Sequence, residues 1–399
     1  MAAVAERQES RNKVRANSST ESMTKEQQQS EIDLMSTMQC DTPMYDDFVA
    51  DFLQKLAHKD QQPTVRISRK FCSSWPISQR PDQSQRTETN SETEKEAETN
   101  TETEIDTVTD SSDGAMQRPA KEIKEIRVGV MDSSFNPPHY CHGAYLECLA
   151  IMELAPTTAT GHEEARVLDI DAYLMLLSST NVDKRLSGAS LEQRMRMVDM
   201  LATTVAQDTS ADTWHLWKSR EQFDRSNLHN MAIGMVNSPR FVDKCVAVAD
   251  VVRREWLRSA GLDTDADSGI DAPRVLSYFA MGWDTLIRFF DRKYYAHYHS
   301  EIRSFFDNGG RIAYSRRSGF PDADVEAFFA REDIAEYLQY IFELTLPKRV
   351  KHISSTEVRL AVRDSTQSVR DIPPRILEFV NNSQLYRDPS KEPTAQLRL

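Results

Sequence analysis

Glycine is scarce in this 399-residue chain, at 12 residues, and only 39% of the residues are apolar. A chain this polar cannot be core throughout, so one folded domain beside a sizeable polar segment is expected. No apolar run reaches the roughly 18 residues that a membrane span needs, and no membrane partner is expected. Cysteine is sparse and odd in number: Cys40, Cys72, Cys141, Cys148 and Cys245. No pair has CxxC spacing and no secretory leader precedes them, which points to reduced thiols in an intracellular protein. A clustered basic face is also missing, which argues against nucleic acid. Arg7, Arg11, Lys13 and Arg15 suggest an organellar leader, but Glu6 and Glu9 interrupt the acid-poor pattern such leaders show. The expected location is therefore cytosolic or nuclear.

What is present is unevenly distributed. Of a formal charge of −13, most falls between Thr87 and Gly114, where ten acids face a single base, Lys95. Residues 1–42 are rich in Gln, Ser, Glu and Arg and are expected to be disordered. Over 43–85, Phe48, Phe52 and Leu56 form one stripe of a short amphipathic helix that should dock on the following domain, with an extended segment after it. Residues 86–120, with "TETNSETEKEAETNTETEIDT", read as an acidic low-complexity linker, and 388–399 as a flexible tail. That arm is a candidate recruitment surface for a protein partner.

From 121 to 387 the pattern changes. RVGVM (127–131), AYLMLLS (172–178), MAIGMV (231–236), VLSYFAMG (275–282) and RIAYS (311–315) read as buried strands. Helical stretches alternate with them, one opened by Ser190 and Gln193 in capping-box spacing, another being FVDKCVAVADVVRREWL. Such alternation predicts an α/β fold, a Rossmann-like doubly wound parallel sheet with helices on both faces. Ligands of these folds lie at the carboxyl ends of the strands, where loops lead into helices.

The first such loop, MDSSFNPPHYCH, carries the strongest chemical signal. Ser133 and Ser134 offer hydroxyls and backbone N–H groups, and His139 and His142 fall in the first turn of the next helix. Helix N-termini attract anions, and two imidazoles there suit a phosphate. Cys141 between the histidines raises a zinc site, but no further His/Cys cluster lies at ligand spacing. Far downstream, HISSTEVRLAVRD opens a helix with a Ser354/Glu357 capping box and sets Ser355, Thr356 and Arg359 in its first turn. Hydroxyls followed by an arginine one turn along make a second anion site.

The SFNPxHxxH turn paired with ISSTxxR resembles the nucleotidylyltransferase superfamily and, more narrowly, the nicotinamide mononucleotide adenylyltransferases. The wording MDSSFNPPH, FVDK and GWDTL is similar to the divergent fungal-type branch, over roughly residues 125–386. The resemblance implies that His139 and His142 bind the ATP phosphates, with His142 stabilising charge at the α-phosphate. Ser354, Ser355, Thr356 and Arg359 would grip the β- and γ-phosphates, and Ser133, Ser134 and Phe135 would line the nucleotide. Lys184 would reach phosphate, Arg194 would open the following helix, and Gly282 and Asp284 of MGWDTL would approach the ribose. RIAYSRR is similar to a late strand ending in a basic residue. Ser133 and Cys141 depart from the family pattern, which often has glycine there. The ring-stacking aromatic is open among Trp214, Trp217, Phe241 and Trp283.

The implied reaction joins ATP and nicotinamide mononucleotide into NAD and pyrophosphate, with Mg²⁺ carried by ATP and no metal ligated by the protein alone. A phosphate dianion is already a nucleophile, so positioning and charge neutralisation should supply most of the rate. Two alternatives remain: a sister adenylyltransferase with another phosphorylated acceptor, and an ATP-binding or ATP-hydrolysing adaptor.

Overall fold

The structure is a computed structural model. It describes residues 43–56, 62–77, 123–151, 153–154, 166–180, 188–207, 228–262, 271–316, 321–364 and 370–388. The expectations for 1–42, 86–120 and 389–399 lie outside these residues, as do Lys184, Trp214 and Trp217. The chain divides into two compact units, Met1–Asp47 and Phe48–Leu399. Of the first only Pro43–Asp47 is described, as the opening of a helix, α1 (Pro43–Leu56).

The second unit is built on one seven-stranded sheet. Its strands are β1 (Val65–Lys70), β2 (Glu125–Ser133), β5 (Ala172–Ser178), β6 (Met231–Val236), β7 (Arg274–Gly282), β8 (Gly310–Ser315) and β9 (Ile341–Glu343), ordered β1-β6-β5-β2-β7-β8-β9. Two short strands, β3 (Glu153–Leu154) and β4 (Arg166–Val167), pair separately. All neighbours from β6 to β9 run parallel, and β1 alone is antiparallel. Counted from β2, the parallel strands fall in the order 3-2-1-4-5-6, which reverses between β2 and β7.

Parallel strands buried on both faces should be apolar throughout, and β5, β6 and β8 are buried at every position. The two-residue period decides which helix each side chain meets. Ile126, Val128 and Val130 join the cluster holding Val248, Val252 and Trp256 of α4 (Phe241–Ser259). Gly129, between them, faces Leu149 of α2 (Tyr140–Ala150). Helix α3 (Leu191–Gln207) opens with the expected capping box: Gln193 N–H donates to Ser190 Oγ at 3.3 Å, and Ser190 N–H to Gln193 Oε1 at 2.9 Å. Further along come α5 (Trp283–Phe289), α6 (Tyr298–Asp307), α7 (Asp322–Phe329), α8 (Glu332–Ala335), α9 (Ser355–Asp364) and α10 (Pro374–Asn382).

The stretch before the acidic run is more structured than its sequence suggests. Val65–Lys70 closes the sheet edge against β6, where Gly234 makes room: a Cβ there would come within 2.6 Å of the Arg66 carbonyl. Arg69 pairs with Asp199 of α3 at 2.5 Å and Lys70 with Glu255 of α4 at 2.9 Å. The fully buried Trp75 donates its indole N–H to the Tyr173 carbonyl at 3.1 Å. In α1, Asp51 pairs with Arg66, whose guanidinium covers the Phe48 ring.

Candidate active site at the switch point

The turn after β2 is shaped by its own strain and by distant donors. Phe135 has φ 43°, a left-handed conformation that a bulky residue adopts only when its surroundings insist, and its side chain is fully buried. That bend sets the Phe135 ring 4.9 Å from the imidazole of His142. His139 and His142 stack with centroids 3.8 Å apart, both nearly buried. The backbone N–H of His139 donates to His142 Nδ1 at 3.1 Å. A main-chain N–H can only donate, so Nδ1 carries the lone pair and Nε2 the proton. Nε2 lies 3.2 Å from Ser133 Oγ, which also accepts from Phe135 N–H at 3.4 Å.

The carbonyls of this turn are gripped from far along the chain. Arg359 donates to the Asn136 carbonyl at 2.7 Å, and Ser355 to the Pro137 carbonyl at 2.8 Å. Arg194 reaches back from α3 to the Ser134 carbonyl at 3.3 Å and the Ala189 carbonyl at 2.9 Å. Tyr386 donates its hydroxyl to Asn136 Oδ1 at 2.9 Å. Burial pushes the Arg194 guanidinium down to about 10; Tyr386 opposes that shift and the nearby Arg359 adds to it. It stays charged at neutral pH, so two guanidiniums flank one turn. The capping box at Ser354 is present, with Glu357 N–H on Ser354 Oγ at 3.2 Å, and Arg359 lies 3.3 Å from Thr356 Oγ1. The two motifs, over 200 residues apart in sequence, thus meet at one place.

Beside the turn, a cavity of about 270 Å³ opens at the strand ends. Asp132, Ser133 and Ser134 line it from β2, Ser178 and Thr180 from β5, and Arg240, Phe241 and Lys244 from the start of α4. Thr285, Arg288 and Phe289 of α5 and the tyrosines 294 and 295 complete the wall. Arg240 is bonded to Asp243 and Glu301, and its pKa is raised chiefly by Asp243. Burial holds the Tyr295 phenol above its ordinary range, and its hydroxyl donates to the Phe289 carbonyl at 2.6 Å. Among the described lining residues Asp132 is the one carboxylate, and both its oxygens already accept hydrogen bonds, from Ser178 and Lys244.

Other expected positions fall as follows. Gly282 caps α5 at the end of β7, next to β2, and Asp284 is exposed in the first turn of that helix. Trp283 is corrected as a stacking candidate. It is 1% exposed and packs against Tyr314, Phe328 and Phe329, so its ring faces the core. Arg316, the basic residue after β8, is tied to Glu343 and Asp322. Phe241, by contrast, lines the cavity. Sequence reasoning missed Asp132, Ser178, Lys244 and Tyr386. One signal was available: a lysine near the N-terminus of α4 opposes the helix dipole, and such a placement asks for a reason.

Against known proteins, a curated protein of Schizosaccharomyces pombe described as "Putative nicotinamide mononucleotide adenylyltransferase" is 25% identical over 287 residues, covering 67% of this chain and 88% of that protein. Two structures of Plasmodium falciparum nicotinic acid mononucleotide adenylyltransferase, complexed with NaAD and with APC, cover 65% of this chain and 97% of theirs. Identities are 14% and 12%, and TM-scores of 0.38 and 0.37 are too low to guide any inference at the site. No family model matches the chain. The fold is that of a doubly wound α/β protein, with the turn after β2 at the switch point of the sheet as its candidate site. Across that domain the chain is similar to the fission-yeast protein, at 25% identity.

Proposed function

We propose that the protein transfers the adenylyl group of ATP to nicotinamide mononucleotide, giving NAD and pyrophosphate. The observation that carries this reading is the junction of the two anion motifs, with Arg359 and Ser355 bonded to the turn that bears His139 and His142. The name of the fission-yeast relative supports the same acceptor.

In this reading the acceptor phosphate attacks the α-phosphorus in line, and the bond to the leaving pyrophosphate breaks as the new one forms. The dianion needs no activating base, so the protein's part is to hold reactants and neutralise charge. The proton on Nε2 makes His142 a donor to a non-bridging α-phosphate oxygen, where it strengthens as charge develops. Arg359, Thr356 and Ser355 then face the β- and γ-phosphates, and Lys184 is expected to join them. Mg²⁺ would supply charge screening to the triphosphate. The side chains here suit a cation held by phosphate oxygens, since the sole lining carboxylate described, Asp132, is already bonded to Lys244 and Ser178. The cavity would take the acceptor, with Phe241 and the tyrosines 294 and 295 as aromatic walls.

The test is a coupled assay. Purified protein, ATP, Mg²⁺ and the mononucleotide in amide or acid form are mixed, and dinucleotide is read out with a dehydrogenase beside a His142→Ala control. Dinucleotide that the control abolishes supports the reading, and the preferred form names the acceptor. ATP binding or slow hydrolysis with no dinucleotide from either form would replace it with the adaptor or with a transferase that uses another phosphorylated acceptor.

A further inference from the structure

The cavity floor holds a charge arrangement that the reaction above leaves unused. The side chains of Lys244 and Asp132 are 4% and 6% exposed. Lys244 Nζ lies 2.5 Å from Asp132 Oδ2 and donates to Ser178 Oγ at 2.8 Å, while the Ser178 hydroxyl donates to Asp132 Oδ1 at 2.8 Å. The ring of bonds is closed, and the face of Phe241 covers the ammonium at 4.8 Å. It joins the end of β2, the end of β5 and the first turns of the helix that follows β6, three neighbouring strands of the sheet.

Stability alone does not account for it. Well-packed apolar side chains of similar volume usually serve as well as a buried ion pair, or better. The core here, with Val242, Cys245 and Phe279, could have been extended by such residues. What bonds provide and packing does not is direction. Asp132 and Ser133 are the last two residues of β2, where ladder support on one side ends: β2 pairs with β7 only as far as Met131. Holding both carboxylate oxygens of Asp132 fixes the strand end sideways, and Ser133 Oγ is the group in contact with His142 Nε2.

We propose that Lys244 is a positioning residue for adenylyl transfer: by closing the ring with Asp132 and Ser178 it fixes Ser133, which in turn aims the Nε2–H of His142. This rests on the transfer reading above. Lys244→Met alone would strand the Asp132 charge in the interior, so loss of fold there says nothing about positioning. The informative variant is Lys244→Met with Asp132→Asn, which removes both charges and keeps the volume. Its expected behaviour is a melting temperature near the parent's, kcat lowered about tenfold or more, and KM for ATP little changed.

A second readout is independent of turnover. Nitrogen-15 NMR of the full chain without substrates, with His142 assigned from the His142→Ala spectrum, should give an Nε2–H ring in both proteins, since the His139 N–H holds Nδ1 unprotonated. The double variant should show a shifted or exchange-broadened Nε2 signal, because Ser133 no longer holds that proton. A folded double variant with parental kcat and parental His142 signals overturns the proposal. If the double variant does not fold, Ser178→Ala opens the same ring by one hydroxyl, and unchanged kcat and His142 signals there overturn it equally. Should the parent make no dinucleotide, the transfer reading fails by itself, and the nitrogen spectra still decide whether Lys244 sets His142.

Discussion

The two sides of β7 hold their shape by different means. Toward β2, the turn 133–142 is fixed by directional bonds from Arg194, Ser355, Arg359 and Tyr386, each aimed at a particular oxygen. Toward β8 and beyond, Trp283, Phe289, Phe290, Phe305, Phe306, Phe328 and Tyr337 pack ring against ring, Phe306 and Tyr337 stacking at 4.4 Å. Bonds fix orientation at little gain in burial, while rings gain burial and specify orientation loosely. Substitutions on the first side should therefore lower rate more than stability, and on the second side the reverse.

The largest effect is expected in the ring cluster. Trp283→Ala removes a fully buried indole and should cost about 3–5 kcal/mol, because the rings around it can collapse only partly. Denaturant unfolding would measure that loss. Turnover per folded molecule should stay near the parent's; a collapse of kcat without loss of stability would place Trp283 at the substrate after all. On the other side, His142→Ala should lower kcat by about 10²–10³-fold, the usual cost of one preorganised donor to developing charge. Its stability should fall by less than that of Trp283→Ala, about 1–3 kcal/mol, because the buried imidazole accepts the His139 N–H. An equal loss of stability would erase the contrast between the two sides.

Tyr386→Phe sharpens the comparison. The variant keeps the buried ring and deletes one hydroxyl, leaving Asn136 Oδ1 with the Ala189 N–H at 3.3 Å. A loss of about 1 kcal/mol is expected. The more telling readout is rate: Asn136 follows the strained Phe135, so kcat should fall by more than stability alone explains. If kcat holds, the C-terminal segment is packing and not part of the turn's support.

Local rules made much of this legible. The strands at 172–178 and 231–236 lie where apolar runs put them, and the boxes at Ser190/Gln193 and Ser354/Glu357 form as their spacing predicts. The turn and the ISST helix were conspicuous because hydroxyls, imidazoles and an arginine crowd two short stretches. What stayed hidden depends on tertiary placement. VRISRK carries too little apolar surface to announce a strand, and it becomes one because Gly234 lets it approach. Lys244 closes FVDK, a stretch that carries the resemblance, but its partners appear only once α4 is set over three strand ends. Trp283 and Phe241 are both aromatics beside strand ends, and only the packing shows that one faces the core and the other the cavity.

The smallest effect concerns the polar exception inside the ring cluster. Asp333 accepts from Arg331 at 2.7 Å and from the Tyr298 hydroxyl at 2.7 Å. The Arg331 guanidinium, against the opposing cost of burial, lowers its carboxyl from 3.8 to about 2, with Tyr298 assisting. Between those values the unfolded chain binds the proton and the folded one does not. The stabilisation is thus whole above the unfolded value and fades as pH falls through the folded one. Asp333→Asn lacks this contribution, so its deficit against the parent should be greatest near neutral pH and shrink by about pH 3. Urea unfolding of both proteins at several pH values reads the gap, and acid effects common to both cancel. A gap independent of pH would mean that shape rather than charge holds this corner, and that the ring side of β7 has no directional anchor of the kind that fixes the turn.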